Sequence, residues 1–166
     1  SVLGGYSVLT REMAKNYCAA LGDIYGGVFR LPSGTEWQYI ASIKGGEKNH
    51  VTGSSELLRE KINIRGKEGD DEWDWTSPVG SFPSNSLGIF DLAGNVDEWI
   101  LDWDENEQKG KMIMGGSWVS DRTDLLFSTK KSWDPVLRNG TIGFRCIKEN
   151  ESERKEVFAV LLRKRK

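Results

Sequence analysis

Oxygen-bearing side chains crowd into one short stretch that contains a glycine. Asp91, Asn95, Asp97 and Glu98 surround Gly94. Carboxylate, amide and backbone carbonyl oxygens are the ligands that calcium prefers, usually about six to eight at once. The stretch therefore favours a calcium site. Acidic residues in loops are also commonly solvated or cap helices, and the composition alone leaves that alternative open.

Aromatic and basic side chains alternate in a second stretch, between positions 117 and 138. Tryptophan and arginine are enriched at binding hot spots, so the stretch is a candidate recognition surface. Core packing is the alternative for its tryptophans, and it is favoured for Trp118. Trp133 with its basic neighbours is the better binding candidate. The aromatic and basic members are Trp118, Arg122, Phe127, Lys130, Lys131, Trp133 and Arg138.

Other reactive side chains are few. The two cysteines, Cys18 and Cys146, could be buried thiols, a structural disulfide or a reactive pair, and their spacing does not choose among these. His50 is the only histidine. A zinc site with several histidines and a Ser-His-Asp triad therefore lack the residues they need.

Size and charge exclude several classes of function. The chain has 166 residues, which is typical of one domain. Its net charge is -2, so no positive field attracts nucleic acid. The apolar run Val157–Leu162 is too short to span a membrane, which takes about 20 residues. No basic segment followed by an apolar one opens the sequence, so any export signal has been removed or was never present.

Apolar spacing predicts two helices. The first covers Thr10–Leu21 with Thr10 as its N-cap, and the second covers Thr35–Ile43 with Thr35 as its N-cap. The buried face of the first helix is expected to hold Met13, Ala14, Tyr17, Cys18 and Leu21.

Strands are predicted at Lys111–Met114 and at Thr141–Ile147. The second of these would place Ile142, Phe144 and Cys146 on one face. Residues 63–103 mix glycine, acid and tryptophan without a clear period, so irregular structure with only short strands is expected there.

Four motifs occur in an order that identifies a known family. They are Arg30–Trp37, Gly88–Trp99, Gly115–Trp118 and Gly143–Cys146, and together they resemble the formylglycine-generating enzyme, or sulfatase-modifying factor, family. The resemblance extends over about residues 10–146. It implies an α+β, C-type-lectin-like fold with short strands, two main helices and much irregular structure. Residues 1–148 would form the domain, and residues 149–166 a tail that packs on it or ends in a solvated basic segment.

The resemblance implies two calcium sites and a disulfide. The first site would use Asn63, the Ile64 carbonyl, Asp71 and the Trp73 carbonyl. The second would use Asp91, Glu98 and the carbonyls of Leu92, Gly94 and Val96. Cysteines at the positions of Cys18 and Cys146 form a structural disulfide in the family. Such a bond implies an oxidising, extracellular or periplasmic location.

The sequence departs from the family at the catalytic positions. Members that make formylglycine bind copper through two cysteines after the glycine-glycine-serine motif, and these positions hold Ser120 and Leu125 here. Neither side chain can bind Cu(I) as a thiolate. We therefore expect a non-catalytic module that binds a protein or glycan through the family's groove. The residues expected to contact that ligand are Ser120, Arg122, Lys130, Lys131, Trp133 and Arg138.

The expected binding function has one alternative. An enzyme of unrecognised chemistry that uses the same groove is the alternative function, and it would lose turnover when Ser120 or Arg138 is changed. The family also carries strands before the first helix that have no counterpart here. We expect Val157–Leu162 to fill that edge of the sheet.

Overall fold

The computed structural model describes residues 9–42, 62–65, 73–103, 110–149 and 157–160. Two helices and seven strands occur in these ranges, together with one short 3₁₀ turn at Arg122–Leu125. The helices are α1 (Arg11–Tyr25) and α2 (Gly34–Ser42). The strands are β1 (Phe29–Arg30), β2 (Asp97–Trp103), β3 (Lys111–Met114), β4 (Lys131–Trp133), β5 (Ile142–Gly143), β6 (Cys146–Glu149) and β7 (Val157–Val160).

Helix α1 begins where the sequence predicts. The Thr10 hydroxyl accepts a hydrogen bond from the Met13 amide at 3.3 Å, which confirms the N-cap. The buried face holds Ala14, Cys18 and Leu21. Met13 and Tyr17, predicted on the same face, are 49% and 43% exposed. That part of the prediction is wrong because both side chains are largely accessible to solvent, although the Tyr17 ring contacts Phe144 edge to face, with centroids 5.4 Å apart.

Helix α2 starts one residue before Thr35, so the predicted N-cap is wrong. Ser33 provides the cap instead: its hydroxyl accepts from the Glu36 amide at 3.2 Å, and the Glu36 carboxylate accepts from the Ser33 amide at 2.8 Å. This reciprocal arrangement is a capping box. Glu36 also accepts two hydrogen bonds from Arg30 at 2.7 and 2.8 Å, which ties β1 to α2.

A four-stranded sheet in the order β4-β3-β2-β5 forms the centre of the domain. Strand β2 spans seven residues and pairs antiparallel with β3 and parallel with β5. The prediction that residues 63–103 contain only short strands is therefore wrong at its C-terminal end. The segment 97–103 lacks a clear alternation because its register shifts between Trp99 and Trp103. Strand β3 confirms the prediction at Lys111–Met114.

A three-stranded antiparallel sheet has the order β1-β6-β7. Thr141–Ile147, predicted as one strand, is divided between β5 and β6, which belong to different sheets. Ile142 and Cys146 are nevertheless both buried, and Phe144 packs against them in the same cluster. Strand β7, from within the apolar run Val157–Leu162, pairs with β6 along its free edge.

One disulfide joins the helical layer to the second sheet. Cys18 of α1 is bonded to Cys146 of β6, as the resemblance implies. Both residues belong to a buried cluster with Leu21, Leu31 and Trp99. A second cluster centres on Trp37, Ile100 and Met114. No helix in the described ranges is both long enough and apolar enough to cross a membrane.

Candidate functional site

The turn before β2 has a backbone that few residue types can adopt. Asp91 and Asn95 have φ angles of 52° and 62°, and Gly94 has a φ of 73°. A Cβ atom on Gly94 would lie 2.2 Å from the Asn63 carbonyl oxygen, so only glycine fits there. The Asn95 amide donates to that same carbonyl at 2.8 Å. The turn is thus packed directly against the segment that contains Asn63.

Glu98 is the centre of a buried polar network at the end of this turn. Its Oε2 accepts from Trp37 Nε1 at 2.7 Å and from Arg145 Nε at 2.6 Å, while its Oε1 accepts from Arg145 Nη2 at 2.5 Å. Arg145 Nη2 also donates to the carbonyls of Phe90 and Asp91. Glu98 and Arg145 are 4% and 8% exposed, so this is a buried ion pair.

The Glu98–Arg145 network bears on the second predicted calcium site. Both carboxylate oxygens of Glu98 accept hydrogen bonds from protein donors, and the Arg145 guanidinium lies against the Asp91 carbonyl. Among the residues that the structure describes, none accepts a hydrogen bond from the buried Arg145 Nη1, which is a donor that requires an acceptor rather than a cation. In this arrangement Trp37 and Arg145 supply three hydrogen bonds to the Glu98 carboxylate, and the second calcium site stays a prediction.

Asp91 has one further partner. Its Oδ2 accepts from the Gly80 amide at 2.7 Å. Burial raises the pKa of this carboxyl, although the Gly80 amide and Arg145 act in the opposite direction. Among the residues that the structure describes, no three His, Cys, Asp or Glu side chains converge on a metal position.

The first predicted calcium site is described only in part. Asn63 is 1% exposed, and its Nδ2 donates to the Trp75 carbonyl at 2.7 Å. Ile64 is also buried, and Trp73 makes an edge-to-face contact with Phe82 at 6.0 Å. Asp71 lies outside the described residues. The amide oxygen of Asn63 is the acceptor end of a fixed side chain, which fits an oxygen-ligated cation.

Ser120 and Leu125 pack against the same backbone position. A Cβ atom on Gly116 would lie 2.6 Å from Leu125 Cδ2 and 3.4 Å from the Cβ and Oγ of Ser120. The Ser120 hydroxyl also accepts from the Ser117 amide at 2.9 Å. Ser120 is 3% exposed and Leu125 is fully buried. The two positions that would carry copper ligands therefore converge, but they present a hydroxyl and a hydrocarbon.

Asp97 and Lys131 form an ion pair beside this turn. Lys131 Nζ lies 2.8 Å from the Asp97 carboxylate, which also accepts from the Gly116 amide at 3.0 Å. Burial raises the pKa of Asp97, and Lys131 opposes that rise. Lys131 was predicted as a ligand contact, but it holds β4 against the start of β2. Neither this pairing nor the Glu98–Arg145 pairing follows from sequence spacing, because the partners are far apart along the chain.

The other predicted ligand residues are dispersed. Lys130 Nζ pairs with Asp102 at 2.8 Å, and Trp133 is half-buried against the cluster that contains the disulfide. Arg138 is exposed beside Val136 and Leu137, which are 71% and 53% exposed. Arg122 lies at the start of the 3₁₀ turn.

Two tryptophans, Trp75 and Trp118, form a pair at the surface that no sequence pattern predicted. Trp75 and Trp118 contact each other edge to face, with ring centroids 5.0 Å apart. Trp75 is 53% exposed, and Trp118, for which a core position was favoured, is partly buried. The Trp118 amide donates to the Asn95 carbonyl at 3.0 Å, which fixes the pair beside the 91–96 turn. No periodic pattern links positions 75 and 118, so only the fold reveals this aromatic pair.

The fold, with its glycine-rich turns before β2 and after β3, is shared with a known protein family. The model of the sulfatase-modifying factor enzyme 1-like domain matches residues 9–150. The chain belongs to this family, which confirms the resemblance drawn from its four motifs and the α+β fold that it implies.

The chain is similar to relatives whose names describe different activities. The chain is 38% identical over 161 residues to mouse formylglycine-generating enzyme, covering 81% of this chain and 41% of that one. It is 30% identical over 148 residues to bovine inactive C-alpha-formylglycine-generating enzyme 2, covering 80% and 46%. The chain spans between about a fifth and about half the length of these and other curated relatives.

A solved structure has the same fold. PvdO from Pseudomonas aeruginosa superposes with a TM-score of 0.71 at 27% sequence identity, covering 84% of this chain and 59% of that one. The shared family and fold do not determine whether a member is catalytic, because function depends on the residues of the site.

Proposed function

We propose that this chain is a non-catalytic binding module built on the formylglycine-generating enzyme fold. The observation that carries the proposal is the convergence of Ser120 and Leu125 on Gly116. Copper(I) requires soft sulfur ligands, and a hydroxyl beside a hydrocarbon does not supply them. Both cysteines of the chain are joined in the Cys18–Cys146 disulfide, so neither provides a thiolate.

The Asp97–Lys131 pair supports the same proposal. It places a salt bridge, with an aspartate that is 4% exposed, next to the turn that holds Ser117 and Ser120. A carboxylate held by a lysine and a backbone amide is a stabilising contact. The related protein named inactive C-alpha-formylglycine-generating enzyme 2 is a precedent for a family member without the catalytic activity.

The recognition surface that we propose is the tryptophan pair in which Trp75 is exposed and Trp118 is partly buried behind it. Tryptophans offer a large contact area at little cost in conformational entropy, and their rings stack on peptide side chains and on sugars alike. The pair borders the turn that contains Ser117 and Ser120, which corresponds to the family's groove. Arg138 and Arg122 remain candidate contacts on the same segment of the chain.

Two further properties belong to this proposal. We assign one calcium ion to the loop of Asn63 and Ile64, with Asp71 and the Trp73 carbonyl as further ligands. We also place the module in an extracellular or periplasmic compartment. The disulfide supports the second assignment, because such bonds persist where thiols are oxidised.

Binding of the chain to peptide and glycan arrays tests the recognition surface. We expect the wild-type chain to bind a defined subset of spots and the Trp75→Ala variant to lose at least about tenfold in affinity for them, since truncation of an anchoring aromatic costs about 2 kcal/mol or more. Tyr39→Ala is the matched control. It removes an aromatic ring that is 63% exposed on α2, away from the tryptophan pair, and should leave binding unchanged.

Two outcomes would contradict the proposed surface. One is equal binding by the wild-type chain and by Trp75→Ala. The other is a loss that follows Arg138→Ala and spares Trp75→Ala, which would move the recognition surface to the loop of residues 134–138. Conversion of a bound peptide or sugar to a new product would overturn the non-catalytic assignment itself.

A further inference from the structure

We infer that the Arg145 guanidinium is a built-in cation that takes the place of calcium at the second predicted metal site. The predicted site combines two carboxylates, Asp91 and Glu98, with the carbonyls of Leu92, Gly94 and Val96. Arg145 donates to one of these ligands, the Glu98 carboxylate, and also to the Phe90 and Asp91 carbonyls at the start of the same turn. The turn is thereby held without a metal.

The donor geometry supports this inference. Arg145 Nε and Nη2 face the two oxygens of Glu98 at 2.6 and 2.5 Å, a two-point contact that matches the planar shapes of both groups. Trp37 Nε1 occupies the remaining direction on Glu98 Oε2 at 2.7 Å. Three donors leave one lone-pair position on Glu98, on Oε1, and a calcium ion bound there would lie beside the like charge of Arg145.

The buried atom Arg145 Nη1 gives an independent indication. It has no hydrogen-bond partner in the described part of the chain, and the arginine is 8% exposed. Its two hydrogens require an acceptor such as an ordered water molecule, and they repel a cation. The positive charge of Arg145 is shared by its hydrogen-bonded nitrogens and by Nη1, and it repels a metal ion at this position. This inference does not depend on what the module binds.

Removal of the guanidinium should create a calcium site. In the Arg145→Met variant the Asp91 and Glu98 carboxylates and the freed carbonyls of Phe90 and Asp91 become a cluster of oxygens without a cation. Such a cluster suits a hard divalent ion. We expect isothermal titration calorimetry with calcium chloride to show one more calcium ion per chain in Arg145→Met than in the wild-type chain. Calcium should also raise the Tm of the variant more than that of the wild type.

Arg11→Met is the matched control. Arg11 is 7% exposed and donates through Nε and Nη2 to the carbonyls of Ile100 and Leu101, so its loss also removes a buried guanidinium from backbone carbonyls. No carboxylate hydrogen-bonds to it in the described part of the chain. Arg11→Met should therefore lose stability without gaining a calcium ion.

A second variant keeps the inference testable if Arg145→Met does not fold. Asp91→Gly removes a carboxylate from the site, and glycine adopts the φ of 52° at that position without strain. If Arg145 is the cation, the wild-type chain and Asp91→Gly bind the same number of calcium ions. A wild-type chain that binds one more calcium than Asp91→Gly would overturn the inference, as would an unchanged stoichiometry in a folded Arg145→Met variant.

Discussion

At the scale of single residues, charged side chains act mainly as connectors between elements. Arg30 of β1 pairs with Glu36 of α2 and with Glu149 of β6, so one guanidinium joins three elements. The hydrogen bonds from Arg30 are the main cause of a lowered pKa of Glu36, about 2 against an ordinary value of 4.5, although partial burial acts against them. Glu36 therefore contributes stability only while it is ionised.

This lowered pKa predicts how Glu36 contributes to stability as the pH changes. Because the folded-state pKa lies below the unfolded one, the contribution is fully present above about pH 4.5 and is lost as the pH falls through about 2. The difference in Tm between the wild-type chain and Glu36→Gln should be constant near neutral pH and should shrink toward pH 2. Thermal unfolding at a series of pH values measures it. A difference that does not change with pH would contradict the ion pair.

Residue types could be predicted from the sequence better than their partners. The Cys18–Cys146 bond and the acidic character of the 91–98 turn were both expected. The sequence offered no signal that Arg145 pairs with Glu98 or Lys131 with Asp97, because such pairs form between elements that only the fold brings together. Glu98 was predicted as a metal ligand because it has a carboxylate in a stretch that resembles the family's calcium site. The structure places the Arg145 guanidinium next to that carboxylate.

At the scale of elements, local signals predicted starts and types more reliably than boundaries. Thr10 caps α1 as expected, because a threonine hydroxyl needs only its own next turn. Thr141–Ile147 has the alternation of one strand, but Gly143 pairs with β2 and Cys146 pairs with β7 in the other sheet. The chain changes sheets between these two residues. A pattern of burial cannot distinguish one strand from two that bury the same face.

The turn before β2 allows a matched test of close packing. Gly88 and Gly94 both have a φ of 73°, but a Cβ atom on Gly88 would meet nothing within 4 Å, whereas one on Gly94 would collide with the Asn63 carbonyl. Gly88→Ala should cost only the conformational penalty of about 1–2 kcal/mol. Gly94→Ala should cost clearly more, because the turn must also move away from Asn63.

Urea unfolding of the two alanine variants measures both costs. The control is internal, since both glycines have the same φ of 73°. Equal losses of unfolding free energy would show that the Asn63 segment does not pack on the turn, and the contact between them would have to be withdrawn.

At the scale of the whole molecule, the chain has the fold of the sulfatase-modifying factor family but has Ser120 and Leu125 at the positions of the copper-binding cysteines. Two sheets, two helices and one disulfide hold the Gly115–Gly116 turn against Ser120 and Leu125. The four motifs identify the architecture because they specify turns and buried contacts. They do not include the positions that perform catalysis, so membership of the family could be predicted from the sequence while the ligand could not.

The most direct test of the central claim is a Cu(I) titration against a competing chromophoric chelator. The wild-type chain should leave the copper with the chelator, because positions 120 and 125 carry no sulfur. The variant that combines Ser120→Cys with Leu125→Cys should bind Cu(I) at least about tenfold more tightly, since it places two thiols at converging positions. The corresponding double alanine variant, which also fills position 125 less completely, is the control for repacking. Copper binding by the wild-type chain as tight as that of the double cysteine variant would contradict the account.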